Sequence, residues 1–278
     1  MKIGIIGTGN MGRILIEALV DSKAVSPSSL YITNRTLSKA LDIRLTYPEI
    51  MVENSAIEVA KQAQLLFICV KPGNMFDCIQ EMVHYLTKDH CVVSITSPIS
   101  VEQLESVLPC STARAIPSIT NRALAGVSLL SFGERCEPYW KQSLTEVLEY
   151  ISKPLQIEDN ITRVASDIVS CGPAFFSYLT RRFIDAAVSE TEIDEETATK
   201  LASEMLIGLG ALLQKELYTL PTLQEKVCVK GGITGEGIKI LENEIGEVFE
   251  HLFHATHSKF DEDVEETKKQ FTSSLNSP

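Results

Sequence analysis

The stretch Lys2–Leu19, "KIGIIGTGNMGRILIEAL", restricts what this chain can fold into more than any other. A short apolar run, Lys2–Ile6, meets glycines at 7, 9 and 12. Apolar residues then recur at helical spacing: Met11, Ile14, Leu15, Ala18 and Leu19. Glycines spaced G-x-G-x-x-G between a strand and a helix have separate tasks. The first permits a tight turn, the second lets a pyrophosphate approach the backbone, and the third lets the helix pack closely. The helix N-terminus then presents free N–H groups to phosphate. The triplet alone is a weak signal, but a strand before it and a helix after it form the context of a dinucleotide site. A glycine-rich turn without a ligand is the competing reading.

The rest of the first half repeats the alternation. Runs rich in Ile and Val recur at Leu30–Thr33, Ile50–Val52, Leu65–Val70, Cys91–Ile95 and Thr112–Ile116, with helical periodicity between them, as in Met75–Leu86. Such alternation predicts a parallel sheet covered on both faces. Two further strand-like runs, Gly126–Ser131 and Leu155–Ile157, flank an amphipathic helix around Trp140–Ile151. From about Asn160 only helical patterns remain: Ala174–Ser189, Glu195–Lys215 and Thr234–Thr256. The expected fold is α/β, an N-terminal Rossmann-type doubly wound sheet over 1–158 followed by an all-α domain over 159–278. Within the latter, "LASEMLIGLGALLQ" (Leu201–Gln214) is apolar on nearly every face. A helix of that kind must be enclosed, and the small domain predicts a homodimer, or a larger oligomer, through its helices. The end of the chain, Asp261–Pro278, is acidic and then Ser-rich, and is expected to fray.

Composition excludes several functions. The net charge of -12, with no Lys/Arg cluster, disfavours nucleic acid and anionic membranes. No apolar run approaches the ~20 residues of a membrane span, and the first glycine comes too soon for a signal peptide. Seven scattered cysteines without a C-x-x-C pair fit free thiols in a reducing cytoplasm. The expected location is cytoplasmic, and the expected partner is a small-molecule substrate.

The end of the second strand bears on which dinucleotide binds. An NAD site usually carries Asp or Glu there, on the ribose 2′-hydroxyl. Here "YITNRT" supplies Asn34, Arg35 and Thr36 instead. No carboxylate repels a 2′-phosphate, and Arg35 can pair with one. NADP, with NADPH preferred over NADH, is the expected cofactor, although an arginine exposed after a strand has the same appearance. "FICVKPGN" ends the fourth strand with Val70, Lys71 and Pro72, a loop that borders the nicotinamide side of such a crevice. Lys71 is alternatively a solvated loop lysine.

These pieces, in this order, resemble pyrroline-5-carboxylate reductase over nearly the whole chain. The likeness runs through "IGTGNMG", "NRT", "VKP", "RAIPS" (Arg114–Ser118) and "SCGPAF" (Ser170–Phe175). Its most specific part is "KVCVKGGITGEGIKILE", Lys226–Glu242, which satisfies the family signature position by position. Some details also resemble the divergent branch encoded with late-competence genes. The resemblance implies a Rossmann domain, a helical dimerisation domain, and hydride transfer from NAD(P)H to the C=N carbon of pyrroline-5-carboxylate, giving proline. The expected cofactor contacts are Ile6, Gly7, Thr8, Gly9, Asn10, Met11 and Gly12, then Asn34, Arg35 and Thr36. Asn54, past the third strand, joins them, with Val70, Lys71, Pro72, Thr96 and Ser97 on the nicotinamide side.

Reduction of a cyclic imine asks little of protein acids and bases, because a protonated imine is already electrophilic and positioning does most of the work. The substrate carboxylate needs a holder. Gly231, Gly232, Ile233 and Thr234, preceded by Val229 and Lys230, open a helix whose first N–H groups favour an anion. Thr234, expected at or near the N-cap, offers a hydroxyl to the carboxylate or ring nitrogen and is the candidate catalytic residue; a plain N-cap is its other reading. Gly237 is expected to permit close packing in that helix. Departures from the family pattern cluster around this loop. Val229 stands in place of serine, Lys230 in place of proline, and Glu236 follows two residues after Thr234. "SITSP" (Ser94–Pro98) replaces S-I-A-A-G, so Pro98 lacks an N–H; Ser118 and Cys171 replace asparagine and serine. A weakly active or inactive regulatory paralogue, or a reductase of another small imine, is the alternative. His251, His254 and His257 read as a partly exposed helix face rather than a metal site.

Overall fold

The computed structural model describes residues 1–273. Packing divides the chain into two compact units, Met1–Pro173 with Phe253 onward, and Ala174–Leu252. The expected division at 158/159 is a single cut, whereas here the first unit runs on to Pro173 and takes back the last helix from Phe253.

In the first unit strand and helix alternate as the apolar runs predict. β1 (Ile3–Ile6) leads to α1 (Asn10–Asp21), β2 (Leu30–Thr33) to α2 (Leu37–Thr46), and β3 (Met51–Val52) to α3 (Ala56–Gln62). Next come β4 (Leu65–Ile68), α4 (Met75–Met82), β5 (Cys91–Ser94), α5 (Val101–Val107) and β6 (Ser111–Ile116). β7 (Val127–Phe132), α6 (Pro138–Glu149), β8 (Lys153–Gln156) and the short α7 (Thr162–Ser166) follow. The sheet order is β3-β2-β1-β4-β5-β6-β7-β8, parallel throughout except for the antiparallel pair β6–β7. Alternate residues of β4 enter opposite cores: Leu65 and Phe67 join one cluster, Leu66 and Ile68 the other. Burial on both faces is why these strands read as unbroken apolar runs. The order reverses at β1/β4, which opens a crevice at the carboxyl ends of the strands.

The second unit holds most of α8 (Gly172–Glu190), then α9 (Glu195–Gln214), α10 (Leu220–Val227), α11 (Ile233–Glu244) and the start of α12 (Val248–Ser273). Its core is small: Ile184, Ala198 and Ala202, with Val188 and Ile193 packed against them. The apolar helix α9 buries Ala198 and Ala202, while Leu201, Met205, Leu206 and Ile207 stay exposed in the single chain.

Several expectations need correction. The single helix expected over Thr234–Thr256 is two, α11 and α12, separated at Gly246, whose φ of +50° breaks the ladder. α10 was not foreseen; Thr219 caps it in a capping box with Thr222, and Pro221 sits in its first turn. The helix expected over Met75–Leu86 ends at Met82 and passes into a 3-10 turn, Val83–Tyr85. The tail expected to fray is helical through Ser273, and Phe271 is buried against Phe76; 274–278 lie outside the described residues. Its side chains repeat at three- and four-residue spacing against the first unit, which anchors a segment whose composition is polar.

Candidate functional site

The glycine loop is built as its spacing requires. The Gly7 N–H donates to the Thr33 carbonyl at 2.8 Å, and the Cys69 N–H donates to the Ile6 carbonyl at 2.7 Å. Gly7 has φ +100°, and a Cβ on it would meet the Cys69 carbonyl oxygen at 2.6 Å. A Cβ on Gly12 would lie 2.0 Å from the Gly7 carbonyl oxygen. These two glycines are sterically demanded by the chain itself. Gly9 is different: a Cβ there would meet nothing within 4 Å, so the loop has an open floor where the second glycine of the motif admits a ligand. The buried Thr8 hydroxyl beside it has no hydrogen-bond partner among the described residues. An orphaned donor and an uncovered backbone at the start of α1 fit a dinucleotide pyrophosphate.

Asn34 braces this loop, accepting from the Thr8 N–H at 3.0 Å and donating to the Thr36 carbonyl at 3.0 Å. Arg35 is exposed and has no ion pair among the described residues, leaving its guanidinium available at the β2 exit. Ile6 places its side chain in the core, and Asn54 is exposed beyond β3.

At the other end of the crevice lies a cavity of about 390 Å³. Met11, Pro72, Thr96 and Ser97, all expected from the sequence, line it. Val70 packs against the core instead, and Lys71 is exposed outside the cavity wall. Ile95, Pro98, Ile116, Pro117, Ile119, Ser170 and Asp263 complete the wall. Of these, Pro98 is one of the departures from the family pattern. Ser170 reaches the wall through a π-helical turn, Asp167–Cys171, continuing α7. That turn is tied to the β6 exit: the Ser118 hydroxyl donates to the Val169 carbonyl at 2.7 Å, and Ser170 donates to the Pro117 carbonyl at 3.0 Å.

Two arginines, one buried and one half-buried, hold the walls. Arg114, 3% exposed, donates to the carbonyls of Ser97 and Ile99, to the hydroxyls of Ser131 and Thr162, and to Asp159 at 2.5 Å. Arg163 donates to Asp167 at 2.8 Å, to the Ser97 hydroxyl at 3.4 Å and to the Cys171 sulfur at 3.5 Å. The Asp167 carboxylate is fully buried and also accepts from the Thr256 hydroxyl at 2.8 Å, with His257 Nε2 at 3.7 Å. Burial pushes the Cys171 thiol up, while the Arg163 charge pulls it the other way. An arginine within a strand, such as Arg114, or within a short helix, such as Arg163, gives no such role away in sequence; only the partners do. His251 and His254 are exposed elsewhere along α12.

The signature loop lies in the second unit. Gly231 has φ +76°, and the Gly232 N–H donates to the Val229 carbonyl at 2.9 Å. Gly232 is the N-cap of α11 and makes no side-chain cap. Thr234 is therefore the second residue of the helix, near the cap, and its exposed neighbour Ile233 is the first. Glu236 points to Lys239, 2.7 Å away, so its charge is partnered. No atom of the described chain outside the helix's own backbone stands within 4 Å of a Cβ placed on Gly237.

Comparison with known proteins agrees with this construction. Residues 2–98 match a family model described as NADP oxidoreductase, coenzyme F420-dependent, and residues 159–263 match one described as pyrroline-5-carboxylate reductase dimerisation. The chain is 57% identical over 271 residues to ComE operon protein 4 of Bacillus subtilis (strain 168), covering 98% of this chain and 99% of the relative. It is 28% identical over 270 residues to pyrroline-5-carboxylate reductase 3 of the same organism, covering 97% and 99%. Among solved structures, a Plasmodium falciparum pyrroline carboxylate reductase with NADP bound superposes with TM-score 0.80 at 18% identity, covering 98% of both chains. One from Coxiella burnetii gives 0.81 at 22%, covering 97% and 98%. At those identities the structures speak for the fold. Fold and crevice together define an oxidoreductase-type protein built for a nicotinamide cofactor. The chain belongs to the pyrroline-5-carboxylate reductase family, in the branch that includes ComE operon protein 4. No helix among the described residues is long and apolar enough to cross a membrane.

Proposed function

We propose that this chain reduces the C=N bond of 1-pyrroline-5-carboxylate to L-proline, with NADPH preferred over NADH. The observation that carries the reading is a glycine cradle, open at Gly9, at the end of the crevice opposite a walled cavity of about 390 Å³. Bound NADPH would supply the hydride. The backbone from Gly7 to Gly12, with the Thr8 hydroxyl, holds the pyrophosphate. Arg35 pairs with the 2′-phosphate, and Thr36 and Asn54 flank it. Pro72, Thr96 and Ser97 hold the nicotinamide end, their positions maintained by Arg114 and Arg163. The N–H groups at the start of α11, with the Thr234 hydroxyl, take the substrate carboxylate. Gly231 supports that arrangement through its positive φ, which other residues adopt at a cost. A homodimer covers the apolar face of α9. Seven free thiols fit a reducing cytoplasm.

A second reading draws on Val229 and Lys230, both exposed on the signature loop, and on Pro98 in the cavity wall. Val229 offers no hydroxyl and Pro98 no N–H where the family pattern does, and Lys230 sets a cation in place of a proline, which favours another small imine, or a regulatory protein with little turnover. Following NADPH oxidation by the purified protein with 1-pyrroline-5-carboxylate decides between them. Turnover that falls at least about tenfold in Thr234→Ala supports the first reading. Background turnover with NADPH binding retained supports the second. In the same preparation Arg35→Ala should weaken NADPH by about tenfold or more while NADH changes little; equal losses would remove the 2′-phosphate role.

A further inference from the structure

From Phe253 onward α12 belongs to the first unit and lays one face against the rest of it. Thr256 donates to Asp167 at 2.8 Å, and Phe260 lies under the Arg163 guanidinium at 5.5 Å. Thr267 donates to the Pro98 carbonyl at 3.3 Å, and Phe271 meets Phe76 edge-on at 5.2 Å. Asp263 stands three residues after Phe260 and four before Thr267, which places it on the same face. It opens onto the cavity between the β4 and β5 exits, and it is the one charged residue among those lining it. The remaining wall is apolar or hydroxyl-bearing. Lys259, 2.9 Å from Asp263, does not line the cavity; it is exposed and shared with Glu262 at 3.3 Å. An exposed, divided ion pair does little to cancel the carboxylate.

We propose that the cavity takes a cationic cyclic imine, with Asp263 as the counter-ion of its C=N–H⁺ group. The proposal rests on the reductase reading and narrows its substrate class. A carboxylate 37% exposed, with an apolar wall beside it, favours a cation in the cavity and disfavours an anion. The reduction then balances: iminium plus NADPH gives amine plus NADP⁺, the hydride bonding to carbon and the C=N pair moving onto nitrogen. Asp263 keeps the nitrogen protonated before transfer and orients it. The carboxylate of an imino-acid substrate must in consequence face away from this wall.

The test uses the full chain saturated with NADP⁺ and titrated calorimetrically with pyrrolidine hydrochloride, a cyclic ammonium that cannot be reduced. Pyrrolidinium should bind saturably, and Asp263→Asn should weaken it by about tenfold or more while NADPH affinity stays within about twofold. Asp263→Glu, which keeps the charge, should recover most of the binding, and kcat/KM for 1-pyrroline should follow the same order. Binding that is equal in wild type and Asp263→Asn, or absent from the wild type with NADPH bound normally, overturns the proposal alone. A loss confined to NADP⁺ affinity reassigns the carboxylate to the oxidised nicotinamide and likewise overturns it. Failure of NADPH to bind the wild-type chain sinks the reductase reading, and this proposal with it.

Discussion

Three glycines of one motif have different physical reasons, and substitution should separate them. An alanine at Gly12 puts a methyl 2.0 Å from a carbonyl oxygen, so Gly12→Ala should lower stability by about 1–3 kcal/mol, read from the urea midpoint. An alanine at Gly9 meets open space. Gly9→Ala should leave stability within about 0.5 kcal/mol and weaken NADPH by about tenfold or more. Equal destabilisation by the two would mean that the loop exists for its turn and not for a ligand. Thiols provide a pH signature at this same scale. Burial pushes Cys78 and Cys110 up to about 12, from an ordinary value of 9.0, and raises Cys69 further. The unfolded chain therefore releases these protons first, and stability should be level below pH 9 and fall as pH rises toward 12. Melting temperatures across that range check it, with Cys110→Ala expected to flatten the slope. What these residues do was partly legible: the glycines by spacing, the thiols by number. The network around Arg114 was not, because its partners come from residues up to 48 positions away.

Elements were legible wherever apolar period and length agreed. The central strands β1, β2, β4 and β5 match because each is buried on both faces, so nearly every position had to be apolar. α12 is the contrary case. Its second half is too acidic to announce a buried face, yet Thr256, Phe260, Thr267 and Phe271 recur on one side of it. Phe271→Ala should destabilise the protein by about 3–5 kcal/mol, seen in the urea midpoint; a change below about 0.5 kcal/mol would show that the helix end contributes no packing. The break at Gly246 is not legible in the sequence, because an isolated glycine inside a helical pattern is usually tolerated. Its positive φ belongs to the folded backbone and has no counterpart in hydropathy.

At the scale of the whole molecule, α9 states what a single chain lacks. Ile207 is 64% exposed, with Leu201, Met205 and Leu206 also uncovered, more apolar surface than a lone helix leaves in water without a partner. Ile207→Glu places a charge in the proposed contact, and sedimentation should show dimers giving way to monomers. An unchanged dimer would place the interface on another face. The net charge of -12 disfavours adding a further carboxylate anywhere on a self-complementary surface, which strengthens the expected effect.

By itself the sequence determined the layered α/β order, the dinucleotide loop and the family, since each rests on local spacing: period two in strands, 3.6 in helices, and fixed intervals between glycines. Only the tertiary structure decided which further residues complete the cavity wall. Ser170 on a π turn, Ile116 and Pro117 at a strand end, and Asp263 on the last helix come from distant stretches. No local period links them, because their meeting depends on how elements pack, and packing is set by contacts that sequence order does not record.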